Sequence, residues 1–502
     1  MSAAAGTLPG VVSRASSSSV RTRAAPLTLV LDPLRIALFV LTILTISRVH
    51  ERYPLLAMFR PALLLVMASI GYAFLNPRYL TRANVLRMWP MRLVAALGIQ
   101  ACCSAVFGMS LGGSATFILD SYAKTLAYAF LIAVSIRHVR DLYTLVWAYV
   151  VSCGILAFLS IFVFGMSRAS GSYVTRLDKL YTYDSNDLGV VMMVGLPLVL
   201  LLLTVARGAK RWILLVILVG ISVTMARSGS RGGFLGFVTA GVAALILVNG
   251  VSSARRFLVL AAGVIVLVVG APPGYWKQMG TILTPEADYN FTSWDGRKAL
   301  AERSIDYMTQ YPAFGLGIGN FARAECTISP KIALLKINGP IRCVPPHNSY
   351  LQAGAEMGVP GFLIWVSLVI GVIVAPLRLR HRLPKSWRSG TESKRFLYNA
   401  TSFFSVAMIG FAVTSFFVSF AWMDPVYLMA AFLTGLYVAA QAQFEEWESS
   451  GGGRASRIGS SSAVAGWRVK QSAWRSRIMG EREAFGSMTI SREGVAPKQQ
   501  SP

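Results

Sequence analysis

Asp187-Leu-Gly-Val-Val-Met-Met-Val-Gly-Leu-Pro-Leu-Val-Leu-Leu-Leu-Leu-Thr-Val-Ala206 has a single charged residue, at its first position. A helix of that length crosses a hydrocarbon core of about 30 Å. Comparable runs recur at residues 31–47, 55–76, 92–111, 117–136, 142–165, 212–228, 231–249, 257–271, 355–377, 397–419 and 424–442. The composition agrees with this pattern. With 54% hydrophobic and 14% charged residues, a chain of 502 residues is too apolar for an ordinary soluble domain. The expected fold is an all-α polytopic membrane protein, with about twelve transmembrane helices and one long, partly helical outer loop.

Orientation follows from the basic residues of the joints, which are retained on the cytoplasmic side. Residues 76–92 carry Arg78, Arg82, Arg87 and Arg92, residues 207–211 carry three basic residues, and residues 378–395 carry seven. Residues 112–116 and 419–423, at alternate joints, carry none. Both termini are therefore expected inside. The expected organisation is a disordered cytoplasmic N-terminus (1–30), nine membrane helices (31–271), an outer, periplasmic catalytic loop (272–347), three further helices (348–444) and a disordered basic tail (445–502). Arg14, Arg21 and Arg23 precede the first apolar run and no small-residue cleavage site follows it, which suits a retained first helix. The net charge of +26 lies mainly in inward joints and in the tail, so it reads as topology and implies no nucleic-acid partner.

Five cysteines are present. Cys102, Cys103 and Cys153 fall within apolar runs, where thiols act as packing groups. Cys326 and Cys343 both lie in the outer loop, where an oxidising compartment allows them to pair and close a loop worth roughly 3 kcal/mol.

A transporter requires charges near the midplane and usually internally repeated halves. No repeat is visible. Asp120 and Lys124, the clearest charges within a span, are spaced as a helical pair and are expected to neutralise each other. Polar chemistry concentrates instead on the outer side. Met225-Ala-Arg-Ser-Gly-Ser-Arg-Gly-Gly233 forms a turn with Arg227 and Arg231, and guanidinium forks match phosphate oxygens. The alternative for that pair is snorkelling at the interface. The run from Lys298 to Gln310 reads as a helix that Pro312 stops. Arg297, Leu300, Ala301, Ser304, Met308 and Tyr311 share its expected buried stripe, which makes Arg297 a better anion ligand than Lys298 or Arg303.

Gly315-Leu-Gly-Ile-Gly-Asn-Phe321 has the spacing of a dinucleotide loop without the flanking strand, so a tight turn is expected, with Gly315, Gly317 and Gly319 in supporting roles. Pro345-Pro346 ends the loop, and Asn348 or Ser349 caps the next helix. His347, one of only four histidines, then stands beside a helix N-terminus, where the dipole disfavours the imidazolium and leaves a neutral base. A lone histidine at such a place is more often incidental, and the arginines on the same surface raise its standing.

Together Asp184-Ser-Asn-Asp187, Arg227-Ser-Gly-Ser-Arg-Gly-Gly233, the glycine segment 315–321, His347-Asn-Ser-Tyr-Leu351 and Glu356-Met-Gly-Val-Pro-Gly361 resemble the O-antigen ligase and polymerase superfamily of membrane glycosyltransferases. The resemblance implies a bacterial inner-membrane enzyme of lipopolysaccharide or surface-polysaccharide biosynthesis. Such an enzyme moves a glycan from a polyprenyl (undecaprenyl) pyrophosphate carrier to an acceptor hydroxyl with inversion, and uses neither metal nor another cofactor. The acceptor is the lipid A core in ligases, a glycan repeat in polymerases and a protein hydroxyl in oligosaccharyltransferases. The family's motif histidine corresponds to His347, and its arginines to Arg227 or Arg231 and Arg297. Two other readings differ in chemistry. A metal-dependent transferase would use Glu286 and Asp288, and an exporter of lipid-linked glycan would need a charged path through the helix interiors.

Overall fold

The computed structural model describes residues 26–449, apart from 168–174, 250, 285, 287–290, 292, 294, 295 and 333–342. Asp288, Trp294, Asp295 and both terminal segments, 1–25 and 450–502, lie outside the described residues. In chain order the helices are α1 (Pro33–Ser47), α2 (Pro54–Met58), α3 (Pro61–Leu75), α4 (Trp89–Phe107), α5 (Leu111–Phe117), α6 (Ala123–Ser135), α7 (Val139–Phe162), α8 (Ser185–Leu203), α9 (Ala209–Ser228), α10 (Arg231–Leu247), α11 (Ser253–Gly270), α12 (Tyr275–Gly280), α13 (Arg297–Gln310), α14 (Phe321–Thr327), α15 (Ser349–Arg380), α16 (Glu392–Thr414) and α17 (Asp424–Ser449). A two-stranded antiparallel ribbon, β1 (Met166–Ser167) with β2 (Arg176–Leu177), precedes α8.

Every predicted apolar run coincides with a helix. Among the described residues, nine helical stretches are long and apolar enough to cross a membrane. α1, α3 and α10, with 15, 15 and 17 residues, are shorter. Prolines set the first two starts: Pro33 follows the cap Asp32, whose carboxylate accepts from Arg35 N, and Pro61 follows Arg60 in the left-handed region. The protein is thus all-α and polytopic, with nine full-length candidates where about twelve were expected. Exposed apolar side chains such as Leu64, Phe74, Val216 and Ile265 suit a hydrocarbon surrounding.

The bundle has two chemically different ends. At the basic end Glu392 accepts from Leu27 N at 3.0 Å and pairs with Arg207 at 3.2 Å, while Arg380 donates to Leu247 O and Ser402 Oγ. Residues 26–30 and 445–449, assigned to the tails from sequence, belong to this packing: Leu27 is buried and α17 continues to Ser449. The other end gathers the weakly basic joints and the loop after α11.

One expectation about charge is corrected. Asp120 pairs with Arg60 at 3.3 Å and not with Lys124, because a π turn over Ile118–Tyr122 separates α5 from α6 and breaks the four-residue register. Lys331, beyond α14, is 1% exposed and pairs with Glu325. Glu302, exposed on α13, serves as a probe of this end. With Cys102 and Cys103 removed, a Glu302→Cys variant is expected to react with an impermeant thiol reagent on spheroplasts, while Ser389→Cys in the basic joint reacts only after lysis. The reverse pattern would invert the chain.

Candidate active site

The end opposite the basic joints is organised by a break in α15. Pro360 has no N–H to give the carbonyl of Glu356, and Gly358 leaves helical geometry at φ 70°, ψ −173°. The freed carbonyls find other donors: Leu316 N donates to Ala355 O at 2.9 Å, Gly317 N to Glu356 O at 3.0 Å, and Ser104 Oγ to Glu356 O at 2.7 Å. Val359 N in turn donates to Pro312 O at 2.8 Å. Gly315, at φ 68°, fits the break so closely that a Cβ would lie 2.5 Å from the carbonyl carbon of Glu356, and a Cβ on Gly358 would meet Pro312 O at 2.5 Å. The Glu356 carboxylate accepts from Gly319 N (2.9 Å), Phe321 N (3.3 Å) and Trp422 Nε1 (2.6 Å). The glycine segment is therefore a clasp between the loop and α15.

On α13 the buried residues are Leu300, Arg303, Ser304 and Tyr307, which rotates the expected stripe. Arg303, not Arg297, is the deeply buried arginine; Tyr311 is exposed and Arg297 half-buried. Glu325 of α14 explains the rotation, since it receives Arg303 Nε at 2.9 Å and Nη2 at 2.8 Å, Lys331 Nζ at 3.0 Å and the Tyr307 hydroxyl at 3.3 Å. Cys326 and Cys343 are joined in a disulfide that ties the end of α14 to the approach to His347.

His347 has a positive φ of 50°, and its N–H donates to Ser419 Oγ at 2.8 Å. Asn348 caps α15, accepting from Tyr350 N at 2.9 Å and Leu351 N at 3.1 Å. Ser349, the other candidate cap, instead donates to Val418 O and accepts from Phe420 N. The turn between α16 and α17 is thus stitched to the start of α15 at His347 and at Ser349. The same turn carries Phe417, whose ring centroid lies 5.6 Å from the Arg297 guanidinium and whose side chain presses on Gly232, where a Cβ would come within 2.7 Å. Phe417 accordingly places Arg297 next to the arginine turn.

That turn is built by local rules. Gly229, at φ 58°, ends α9 and the Ser230 hydroxyl caps α10 by accepting from Gly233 N. Arg231 Nη1 donates to Thr281 Oγ1 at 2.8 Å, which fastens the turn to the loop after α11. Arg227 lies in the last turn of α9, with a buried Nε that has no hydrogen-bond partner.

Burial, aided by the Arg297 charge, lowers the pKa of His347 below its ordinary 6.5, while Asp184 opposes the shift and Arg176 adds to it. The cause is burial and a neighbouring cation, where the sequence suggested the helix dipole. Asp184 and Arg176 were missed as neighbours of the histidine. They come from the segment before α8, and the available signal was the capping box of Asp184 and Asp187. Among the described residues no three His, Cys, Asp or Glu side chains converge as a metal site. Glu286 is exposed and Asp288 lies outside the described residues.

Fold and site define a polytopic membrane protein with a neutral-histidine, arginine-rich site at one end of its helices. Residues 215–366 match the family model described as O-Antigen ligase. That match supports a ligase- or polymerase-type membrane enzyme of surface-polysaccharide biosynthesis. The matched segment contains Arg227, Arg231, Arg297, the glycine clasp and His347, and stops short of Asp184. No curated protein matches the chain.

Two outcomes are expected. Gly315→Ala strains a left-handed residue and drives a methyl into the α15 break, at a cost of about 2 kcal/mol or more. Thermal unfolding in detergent checks this, and a melting temperature equal to that of the parent would mean that the clasp is slack. Arg297→Gln removes a cation that disfavours the imidazolium, so the His347 midpoint, followed by NMR of labelled histidine, moves to higher pH. An unchanged midpoint would separate the two residues electrostatically.

Proposed function

We propose that the protein transfers a glycan from a polyprenyl pyrophosphate carrier to an acceptor hydroxyl on the outer face of a bacterial inner membrane, in the manner of an O-antigen ligase. The supporting observation is that one turn, residues 417–419, holds both His347 and Arg297 and packs against the arginine turn. A glycosyl pyrophosphate already has a good leaving group. The protein must orient the acceptor, take its proton as the bond forms, and offset charge on the departing oxygen.

His347 serves as the base. Its lowered pKa keeps the imidazole neutral and able to accept a proton near pH 7. Arg297 and Arg231, with Arg227 one turn of chain away, form the anion clamp, their forks matching pyrophosphate oxygens. Attack by the acceptor oxygen opposite the pyrophosphate inverts the anomeric carbon. The arginines bring the positive charge that a divalent ion brings elsewhere, so the step runs without metal. The prenyl chain remains in hydrocarbon while the pyrophosphate sits at the helix ends. The lipid A core is the acceptor favoured by a ligase reading, and a glycan repeat or protein hydroxyl would use the same chemistry.

Purified protein incubated in EDTA with lipid-linked glycan and each acceptor class is expected to extend one of them. His347→Ala should lower transfer by about a hundredfold or more while leaving membrane insertion intact. Transfer by that variant near the parent rate, or a strict requirement for added Mg²⁺ or Mn²⁺, would overturn the mechanism.

A further inference from the structure

Asp184 is highlighted by the sequence and has no part in the clamp or the base described above. Three observations place it at the site. Its neighbour Tyr183 is buried with its ring centroid 6.2 Å from that of Phe420, and Phe420 adjoins Ser419, which holds the N–H of His347. The two segments therefore flank one turn. Secondly, Asp184 is fixed in place. Its Oδ1 accepts from Asn186 N at 2.6 Å and Asp187 N at 2.9 Å, and its own N–H donates to Asp187 Oδ2 at 2.9 Å. Thirdly, the preceding chain is anchored. Thr182 gives both its N–H and its hydroxyl to Glu51, at 3.1 and 2.9 Å, and the Arg48 guanidinium lies 5.7 Å from the Tyr183 ring centroid. Arg48 in turn pairs with Glu51 at 3.2 Å and approaches Asp424 at 3.9 Å.

We propose that Asp184 is a positioning carboxylate for the transfer reaction, holding negative charge beside His347 to stabilise the imidazolium that forms when the acceptor gives up its proton. The inference rests on the glycan-transfer reading. In the step concerned, the acceptor oxygen bonds to the anomeric carbon and its proton passes to the His347 ring. The bond from that carbon to pyrophosphate breaks with its electron pair on the leaving oxygen. His347 gains one positive charge and the pyrophosphate one negative charge. Arg297 and Arg176 both disfavour the imidazolium, and Asp184 is the group that favours it. Asp187 stands beside Asp184, and Lys179 acts in turn on Asp187. A base surrounded only by cations would accept the proton poorly, and the carboxylate corrects this without ligating the substrate.

Asp184→Asn is the informative change, because asparagine retains the helix cap and loses the charge. In the full-length protein the His347 midpoint, read by NMR of labelled histidine and assigned with His347→Gln, is expected to fall. The sign follows from removing a group that raises it. The acid limb of the transfer rate should move to lower pH, with kcat lower by about tenfold and the donor KM little changed. Asp184→Ser, which also caps well, should behave like the asparagine variant. An unshifted His347 midpoint in Asp184→Asn overturns the proposal, as does a kcat equal to that of the parent when His347→Gln is inactive. A shifted midpoint with both Asp184→Asn and His347→Gln fully active instead sinks the transfer mechanism while leaving the electrostatic link in place.

Discussion

The outer half of the molecule depends on one buried carboxylate, that of Glu356. It takes N–H donors from Gly319 and Phe321 in the outer loop and from Trp422 in the turn between α16 and α17. Two segments that are remote in sequence thereby share one acceptor on α15. An isolated carboxylate in so apolar a bundle is costly, and the cost is offset only if the donors are all in place together. Glu356 consequently forces the loop and the turn to dock as a unit. The break at Gly358 and Pro360 is part of the same constraint, since it exposes the carbonyls on which residues 316 and 317 close.

Docking the turn is what builds the site. Ser419 fixes the backbone of His347, Val418 and Phe420 meet Ser349, and Phe417 lies between Arg297 and the arginine turn. The groups suited to chemistry thus stand at helix ends and on tightly bonded turns. Such placement keeps dipoles and charges oriented before a ligand arrives, which is the condition under which electrostatic stabilisation is effective. The disulfide acts in the same sense, because it joins α14 to the chain four residues before His347.

Much of this was legible in the sequence because the determining signals are local. Apolar runs marked the helices, basic joints distinguished the two ends, and Asn348 was one of the two caps read for α15. The errors came where a remote partner decides. Arg297 and Arg303 stand about 120° apart on a helical wheel, and Glu325 of α14, remote from both in sequence, turns the Arg303 face inward. Asp120 looked paired with Lys124 until a π turn and Arg60 intervened. Asp184 could be recognised as a helix cap and not as a neighbour of His347, because their adjacency runs through a turn more than two hundred residues away from it in the chain.

The balance of charges around His347 also bears on when the base becomes strong. With the clamp empty, burial and Arg297 both hold the imidazole neutral, against the pull of Asp184. On the proposed reading, a pyrophosphate drawn to Arg297 neutralises the cation that disfavours the imidazolium, and it adds negative charge of its own to the same end of the bundle. The histidine then becomes a better proton acceptor as the donor binds. Charge development on the leaving oxygen continues this trend along the reaction, so proton uptake and bond breaking favour each other. A metal ion in place of the arginines would act in the opposite direction on the histidine, keeping a fixed double charge beside a base that must become positive. An arginine clamp with a single carboxylate acting on His347 therefore suits this chemistry better than a cation site of higher charge.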